Sequence, residues 1–228
     1  FYVKDNKDCT SFVDVDIINP TALVATASAT DFSCSVTNTP QSATVTIDIP
    51  TTGTAPYQYS FNGSGYSSTT RTLTVNDNGT DQVINYSVRD ANDCPFSGSV
   101  TIVALNPPTD LDFTPLSPVI CSNLTGGSVQ LTAIDGVLPL TFEIISPASA
   151  TTNVSGVSTG VFTGLAADTY IFRVTDANGC YYDESYTLEA EPNITISGLK
   201  LSDVLCQGDN TGAIQFTVSD FAGTYTPV

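Results

Sequence analysis

Three copies of one phrase gather the side chains best able to hold an ion or form a covalent link. They are Val3-Lys-Asp-Asn-Lys-Asp-Cys9, Val88-Arg-Asp-Ala-Asn-Asp-Cys94 and Val174-Thr-Asp-Ala-Asn-Gly-Cys180. Asp90 with Asp93, and Asp176 with Asn178, offer hard oxygen ligands of the kind Ca²⁺ takes, as do Asp5 and Asp8. Calcium needs roughly six to eight oxygens, and one such phrase supplies about half that number. Asp and Asn also hold turns by accepting bonds from nearby backbone N–H groups, which is the plainer reading. A structural Ca²⁺ at these tips is the cofactor the residues suggest; otherwise none is expected.

The cysteines carry the second chemistry. Cys9, Cys94 and Cys180 end the phrase at intervals of 85 and 86 residues, and Cys34, Cys121 and Cys206 recur at intervals of 87 and 85. An even, regularly placed set is the pattern of disulfides in an oxidising compartment. Zinc is disfavoured, because no Cys-x-x-Cys pair and no histidine could complete a site. Pairing Cys34 with Cys94 and Cys121 with Cys180 makes each repeat an autonomous stapled unit, with Cys9 and Cys206 joined to partners outside this sequence. Pairing across boundaries, Cys9 with Cys34, Cys94 with Cys121 and Cys180 with Cys206, is the alternative. An immunoglobulin strand order speaks against the first scheme, since it sets the two cysteines of a repeat at opposite ends of a sandwich.

Other chemistries find little support. Histidine is absent, removing the commonest general base that would activate the abundant hydroxyls. A glycosidase needs one selected pair of carboxylates, whereas these acidic residues recur with the period. The formal charge of −17, from six Lys or Arg against 23 Asp or Glu, offers no attraction to nucleic acid or anionic lipid. No apolar run is long enough to span a membrane. Tyr57 with Tyr59, and Tyr181 with Tyr182, are candidates for a sugar platform. Alternation makes the first pair packing residues instead, and sends adjacent Tyr181 and Tyr182 to opposite faces of a strand.

Self-similarity of this length means tandem domains. Prolines mark the boundaries at Pro20, Pro107 and Pro192, where the missing backbone donor ends strand pairing. The expected organisation is the last strands of a preceding repeat over 1–19, complete repeats over 20–106 and 107–192, and the start of another over 193–228. The chain therefore reads as part of a longer array. Alternating runs such as Ala43-Thr-Val-Thr-Ile47, Ser128-Val-Gln-Leu131 and Ala213-Ile-Gln-Phe216 are half-buried strands. The fold class expected is all-β, tandem immunoglobulin-like β-sandwich repeats with a period of about 86 residues. In Gly164-Leu-Ala-Ala-Asp-Thr-Tyr170, Tyr170 stands where a tyrosine corner bonds back to the loop before it, and Asp-Ala-Asn-Gly179 suits a tight hairpin. The first repeat departs from this, with Ile84 in the place of Tyr170. Sequons at Asn62, Asn78, Asn85, Asn123, Asn153 and Asn193 are expected by chance in such a composition.

These phrases, with Cys206-Gln-Gly-Asp-Asn-Thr-Gly212 and the Gly-x-x-Pro-aromatic run from Gly53 to Tyr57, resemble the SprB-type repeat of Bacteroidetes cell-surface adhesins, itself similar to PKD modules. The resemblance implies a very large secreted protein, exported by the type IX system and used in gliding motility or surface attachment. Its partners would be a surface polysaccharide or other extracellular ligand, engaged through the parent protein, and the neighbouring repeats. A spacer or carbohydrate-binding module of a secreted polysaccharide-degrading enzyme is the alternative, as is a filament-forming surface protein. A tandem array predicts a rod-like scattering profile in solution; a radius of gyration near that of a single globule of this length, ~17 Å, contradicts it.

Overall fold

The computed structural model describes residues 1–191, 194–221 and 223–226, so Pro192 and the sequon at Asn193 lie outside the described residues. Among the described residues every regular element is a β-strand. An opening hairpin pairs β1 (Tyr2–Lys4) with β2 (Thr10–Phe12). There follow β3 (Ala27–Ala29), β4 (Ser33–Cys34), β5 (Pro40–Gln41), β6 (Ala43–Ile47), β7 (Gln58–Phe61), β8 (Thr72–Val75), β9 (Gln82–Arg89) and β10 (Pro95–Ile102). The next six are β11 (Asp110–Ser117), β12 (Gly127–Ile134), β13 (Thr141–Ser146), β14 (Val161–Leu165), β15 (Asp168–Thr175) and β16 (Tyr181–Leu188). A last hairpin pairs β17 (Thr195–Ser202) with β18 (Ala213–Ser219).

The chain divides into two compact units, Phe1–Ser33 with Pro40–Leu105 and Cys34–Thr39 with Asn106–Val228. The short segment Cys34–Thr39 thus belongs to the second unit, although its position in the sequence assigns it to the repeat over 20–106.

Each unit contains two three-stranded sheets with the same connectivity. In the first the orders are β3-β6-β8 and β7-β9-β10; in the second they are β11-β12-β14 and β13-β15-β16. The chain crosses to the other sheet after β6 and β12, returns for β8 and β14, and crosses again, so strands adjacent in sequence are not all neighbours. This is an immunoglobulin-like β-sandwich, with period-two burial supplying the inner face of each sheet. Along β6, Ala43, Val45 and Ile47 are buried while Thr44 and Thr46 are not. They meet Tyr59, Phe61, Ile84, Tyr86 and Val88 from the opposing sheet.

The second core is more aromatic. Phe172 is fully buried on β15, with ring centroids of Phe162 at 5.2 Å, Phe113 at 5.7 Å and Tyr170 at 5.8 Å. Tyr170 forms the expected corner: its hydroxyl donates to the Ala166 carbonyl at 2.8 Å. Burial foremost, and the nearby Asp168 charge, push its phenol pKa up, so the hydroxyl keeps the proton it donates. The first unit lacks this corner. There Tyr86, two residues beyond Ile84, reaches across to the Ala25 carbonyl at 3.3 Å instead.

Truncating Phe172 to Ala removes a buried ring with three aromatic neighbours and should cost about 3–5 kcal/mol. Tyr170→Phe removes only the corner bond and should cost about 1 kcal/mol. Urea titration of the two variants checks the ranking, and equal losses would contradict it.

Candidate functional site

All three acidic phrases fold into the same turn. Lys4 pairs with Thr10, Arg89 with Pro95 and Thr175 with Tyr181, leaving five residues to connect the strands in each case. At Asp176 this is the tight hairpin that Asp-Ala-Asn-Gly suggested: the Gly179 N–H donates to the Asp176 carbonyl at 3.1 Å and the Asp176 N–H to the Cys180 carbonyl at 2.9 Å. The first aspartate also closes the turn through its side chain. Asp90 Oδ1 accepts the N–H of Asn92 at 2.9 Å and of Cys94 at 3.0 Å. Asp176 Oδ1 accepts from Asn178 at 3.0 Å and Cys180 at 2.8 Å, and Asp5 Oδ1 from Lys7 at 2.8 Å and Cys9 at 2.9 Å. The fourth residue of the turn has positive φ, 68° at Asp8, 60° at Asp93 and 78° at Gly179. Asp and Gly are among the residues that tolerate this.

In the Asp90 and Asp176 turns the other carboxylate oxygen ties the turn to the sandwich. Asp90 Oδ2 accepts the Thr54 N–H at 3.0 Å, and Asp176 Oδ2 accepts the Val137 N–H at 3.3 Å. Both aspartates are 6% exposed. The N–H of Thr54 and then of Cys94 hold the Asp90 pKa below its ordinary value against the opposing effect of burial, with Asn92 adding to the lowering. Gly53 makes room for this: its φ is +81°, and a Cβ there would stand 2.9 Å from Leu23 Cδ1 and 3.3 Å from Asp90 Oδ2.

The candidate calcium ligands are thus placed as follows. Both oxygens of Asp90 and Asp176 are engaged by backbone donors, the role of holding a turn. Asp93 lies on the exposed side of its turn, 3.2 Å from Arg89. Asn178 lends its backbone N–H to Asp176 and its carbonyl to Cys34. Among the described residues no three acidic or sulfur side chains are grouped to share one ion. Sequence reasoning did not single out Glu184, whose Oε2 accepts the Leu111 N–H at 3.1 Å. Burial raises its pKa, Asp110 and Asp112 raise it further, and the Leu111 bond opposes them.

The disulfide is Cys34–Cys180, with Cα atoms 4.8 Å apart. This corrects the expected pairing of Cys34 with Cys94 and of Cys121 with Cys180, and equally the pairing across boundaries. The reason is strand length. In the first unit, Thr30 bonds to Thr44 beside the start of β6, while the Asp90 turn bonds to Thr54 beyond its end. In the second, Cys121 precedes β12 and the Asp176 turn bonds to Val137 beyond it. At ~3.3 Å per residue even a five-residue strand separates its ends by ~17 Å, whereas disulfide Cα atoms lie within about 7 Å. The loop around Cys34 makes further bonds to the turn. Cys34 N–H donates to the Asn178 carbonyl at 2.9 Å. Asn38 donates through Nδ2 to the Tyr181 carbonyl at 2.8 Å, and its Oδ1 accepts the Tyr181 N–H at 2.9 Å. Cys180 is fully buried, while Cys9, Cys94, Cys121 and Cys206 are exposed.

The tyrosine platforms are occupied. Tyr59 is buried in the first core, and Tyr57 packs against it with its hydroxyl donating to the Thr52 carbonyl at 3.1 Å. Tyr181 is covered on one face by the Arg173 guanidinium, 3.7 Å from the ring centroid, and Arg173 is itself held by Asp183 at 2.7 and 2.8 Å. Tyr182 packs against the second core.

Compared with protein-family models the sequence matches none, and compared with curated proteins it matches none. Among solved structures it is similar to a C-terminal 282-residue fragment of intimin, in complex with the intimin-binding domain of the translocated intimin receptor. The two are 14% identical over 78% of this chain and 67% of that one, with a TM-score of 0.41. Extracellular cadherin domains 3–6 of protocadherin gamma B2 are 18% identical over 90% of this chain and 59% of that one, with a TM-score of 0.30. Likenesses of this size assign no partner or activity to the chain.

The lowered Asp90 pKa fixes the sign of a pH dependence. The ionised carboxylate stabilises the fold fully above its ordinary value of 3.8, and that contribution is lost as pH falls through the lower folded-state value. Asp90→Asn should therefore lower the urea midpoint near neutral pH, and its deficit relative to the parent chain should shrink toward about pH 2. A deficit that does not change with pH contradicts the role.

Proposed function

We propose that this chain is a non-catalytic repeat segment of a very large secreted cell-surface adhesin, serving as an extended stalk for surface attachment or gliding motility. The observation that carries the proposal is the use made of the buried carboxylates. Asp90 and Asp176, the buried carboxylates, each accept three backbone N–H bonds that close a turn and tie it to the sandwich. The same turn recurs at Asp5. A repeated structural device suits a spacer, whereas an active site needs one set of groups aimed at a substrate.

An extracellular setting is supported by the Cys34–Cys180 disulfide, which persists where the surroundings are oxidising. Among the described residues no helix is long and apolar enough to cross a membrane. In this proposal the ligand, a surface polysaccharide or another extracellular molecule, is bound elsewhere in the parent protein, and the repeats contact one another.

The test is an in-frame deletion of the repeats carrying this sequence from the parent gene, with antibody against the chain applied to unpermeabilised cells. The expected result is surface labelling of the parent strain and impaired attachment or gliding of the deletion strain, with polysaccharide use unchanged. Loss of polysaccharide degradation with attachment intact overturns the proposal in favour of an enzyme spacer.

A further inference from the structure

We infer that Cys94 and Cys9 are covalent docking points for a cysteine loop of another repeat, joined as Cys180 is joined to the loop Cys34–Thr39. The inference rests on geometry within this chain and does not depend on the adhesin proposal. Three turns share one construction, and in one of them the docked partner is seen. The Asp176 turn receives Cys34 through a disulfide and holds the Cys34–Thr39 loop by three hydrogen bonds, one from the Cys34 N–H and two through the Asn38 side chain.

The Asp90 turn has the same closing bonds: Asp90 N–H to the Cys94 carbonyl at 3.2 Å, matching Asp176 to Cys180 at 2.9 Å and Asp5 to Cys9 at 3.0 Å. Each cysteine N–H is also held by the aspartate carboxylate, so the three cysteines are set at the same place on the turn. Where Cys180 is covered by its partner loop, Cys94 and Cys9 are exposed. Beside Cys94 lies an open cleft of about 530 Å³, lined in part by Asn19, Pro20, Thr54, Asp90 and Asn92.

The occupant is specified by what docks at Cys180: a loop beginning with cysteine and carrying Asn four residues on, as in Cys34-Ser-Val-Thr-Asn38. The same pattern stands at Cys206-Gln-Gly-Asp-Asn210. Asn38 uses both backbone groups of the residue after the cysteine, Tyr181. At Cys9 that residue is Thr10, which has both groups to offer. At Cys94 it is Pro95, which has a carbonyl but no N–H, so this turn can make one fewer bond. Joining consumes two thiols and one disulfide of a small molecule or oxidoreductase. The loop and turn sulfurs are oxidised to the new disulfide, and the donor leaves as two thiols.

The probe is a synthetic peptide reproducing residues 33–40, activated as its mixed disulfide with glutathione and incubated with the intact chain. The Cys94 thiolate attacks the peptide sulfur and glutathione thiolate departs, so no further oxidant is needed. Mass spectrometry of non-reduced digests follows each site over time, with Cys206, exposed but outside any acidic turn, as the internal control. The expected result is attachment at Cys9 and Cys94 about tenfold faster than at Cys206 and than with a scrambled peptide, the factor one or two hydrogen bonds supply. An Asn38→Ala peptide should lose most of its preference at Cys9 and less at Cys94. Equal attachment at the three cysteines, equal attachment of the scrambled peptide, or Cys94 found bonded to another cysteine of the same chain overturns the inference. Because the peptide variants leave the protein unaltered, misfolding does not confuse the result.

Discussion

A carboxylate enclosed at the end of a sandwich must be met by donors, and the rest of each repeat is arranged around that requirement. A carboxylate at 6% exposure would be costly without partners. At Asp90 three backbone N–H groups supply them, two from within the turn and one from Thr54. The bond to Thr54 couples the last hairpin of the repeat to the turn after β6, which belongs to the other part of the strand order. A side chain at Gly53 would crowd the same carboxylate. Because the charge is satisfied only when hairpin and turn are both in place, the aspartate makes the closing of the repeat cooperative.

The two cores show how much side-chain variation this frame accepts. β9 and β15 occupy equivalent positions, yet one presents Ile84, Tyr86 and Val88 inward where the other presents Tyr170, Phe172 and Val174. The corner hydroxyl of Tyr170 is replaced in the first unit by a bond from Tyr86 to Ala25, in the segment before β3. Period-two placement is kept while the side chains and their contacts change. This is the tolerance expected of a core specified by pattern more than by particular pairs.

Much of this was legible in the sequence because it depends on local spacing. Alternation marked β6 and β12 as half-buried strands and β18 as a strand, although Ile214 and Phe216 of β18 are exposed; the corner was visible from Tyr170 and the glycine and alanine residues before it. Tyr59 could be assigned to the core from its two-residue spacing to Phe61. The tight hairpin was legible from Asn178-Gly179, since Gly179 takes the positive φ that the turn requires. Glu184 was not visible as a member of an acidic group. Asp110 and Asp112 lie more than seventy residues away, and their proximity is created only by sheet packing.

The periodic phrases by themselves determined the period and the β-sandwich class, because both are fixed by residues within one or two strands of sequence. The tertiary structure alone decided which sulfurs meet. Cys34 and Cys180 are 146 residues apart in sequence, and no local pattern distinguishes that partner from Cys94. Pairing within a repeat was ruled out by the length of the strand between the loop and the turn, a distance that exists only once the sheet is formed. Exposure was decided the same way. Three cysteines sit at the same position of the same turn, and only the docked loop makes Cys180 buried while Cys9 and Cys94 remain open to solvent.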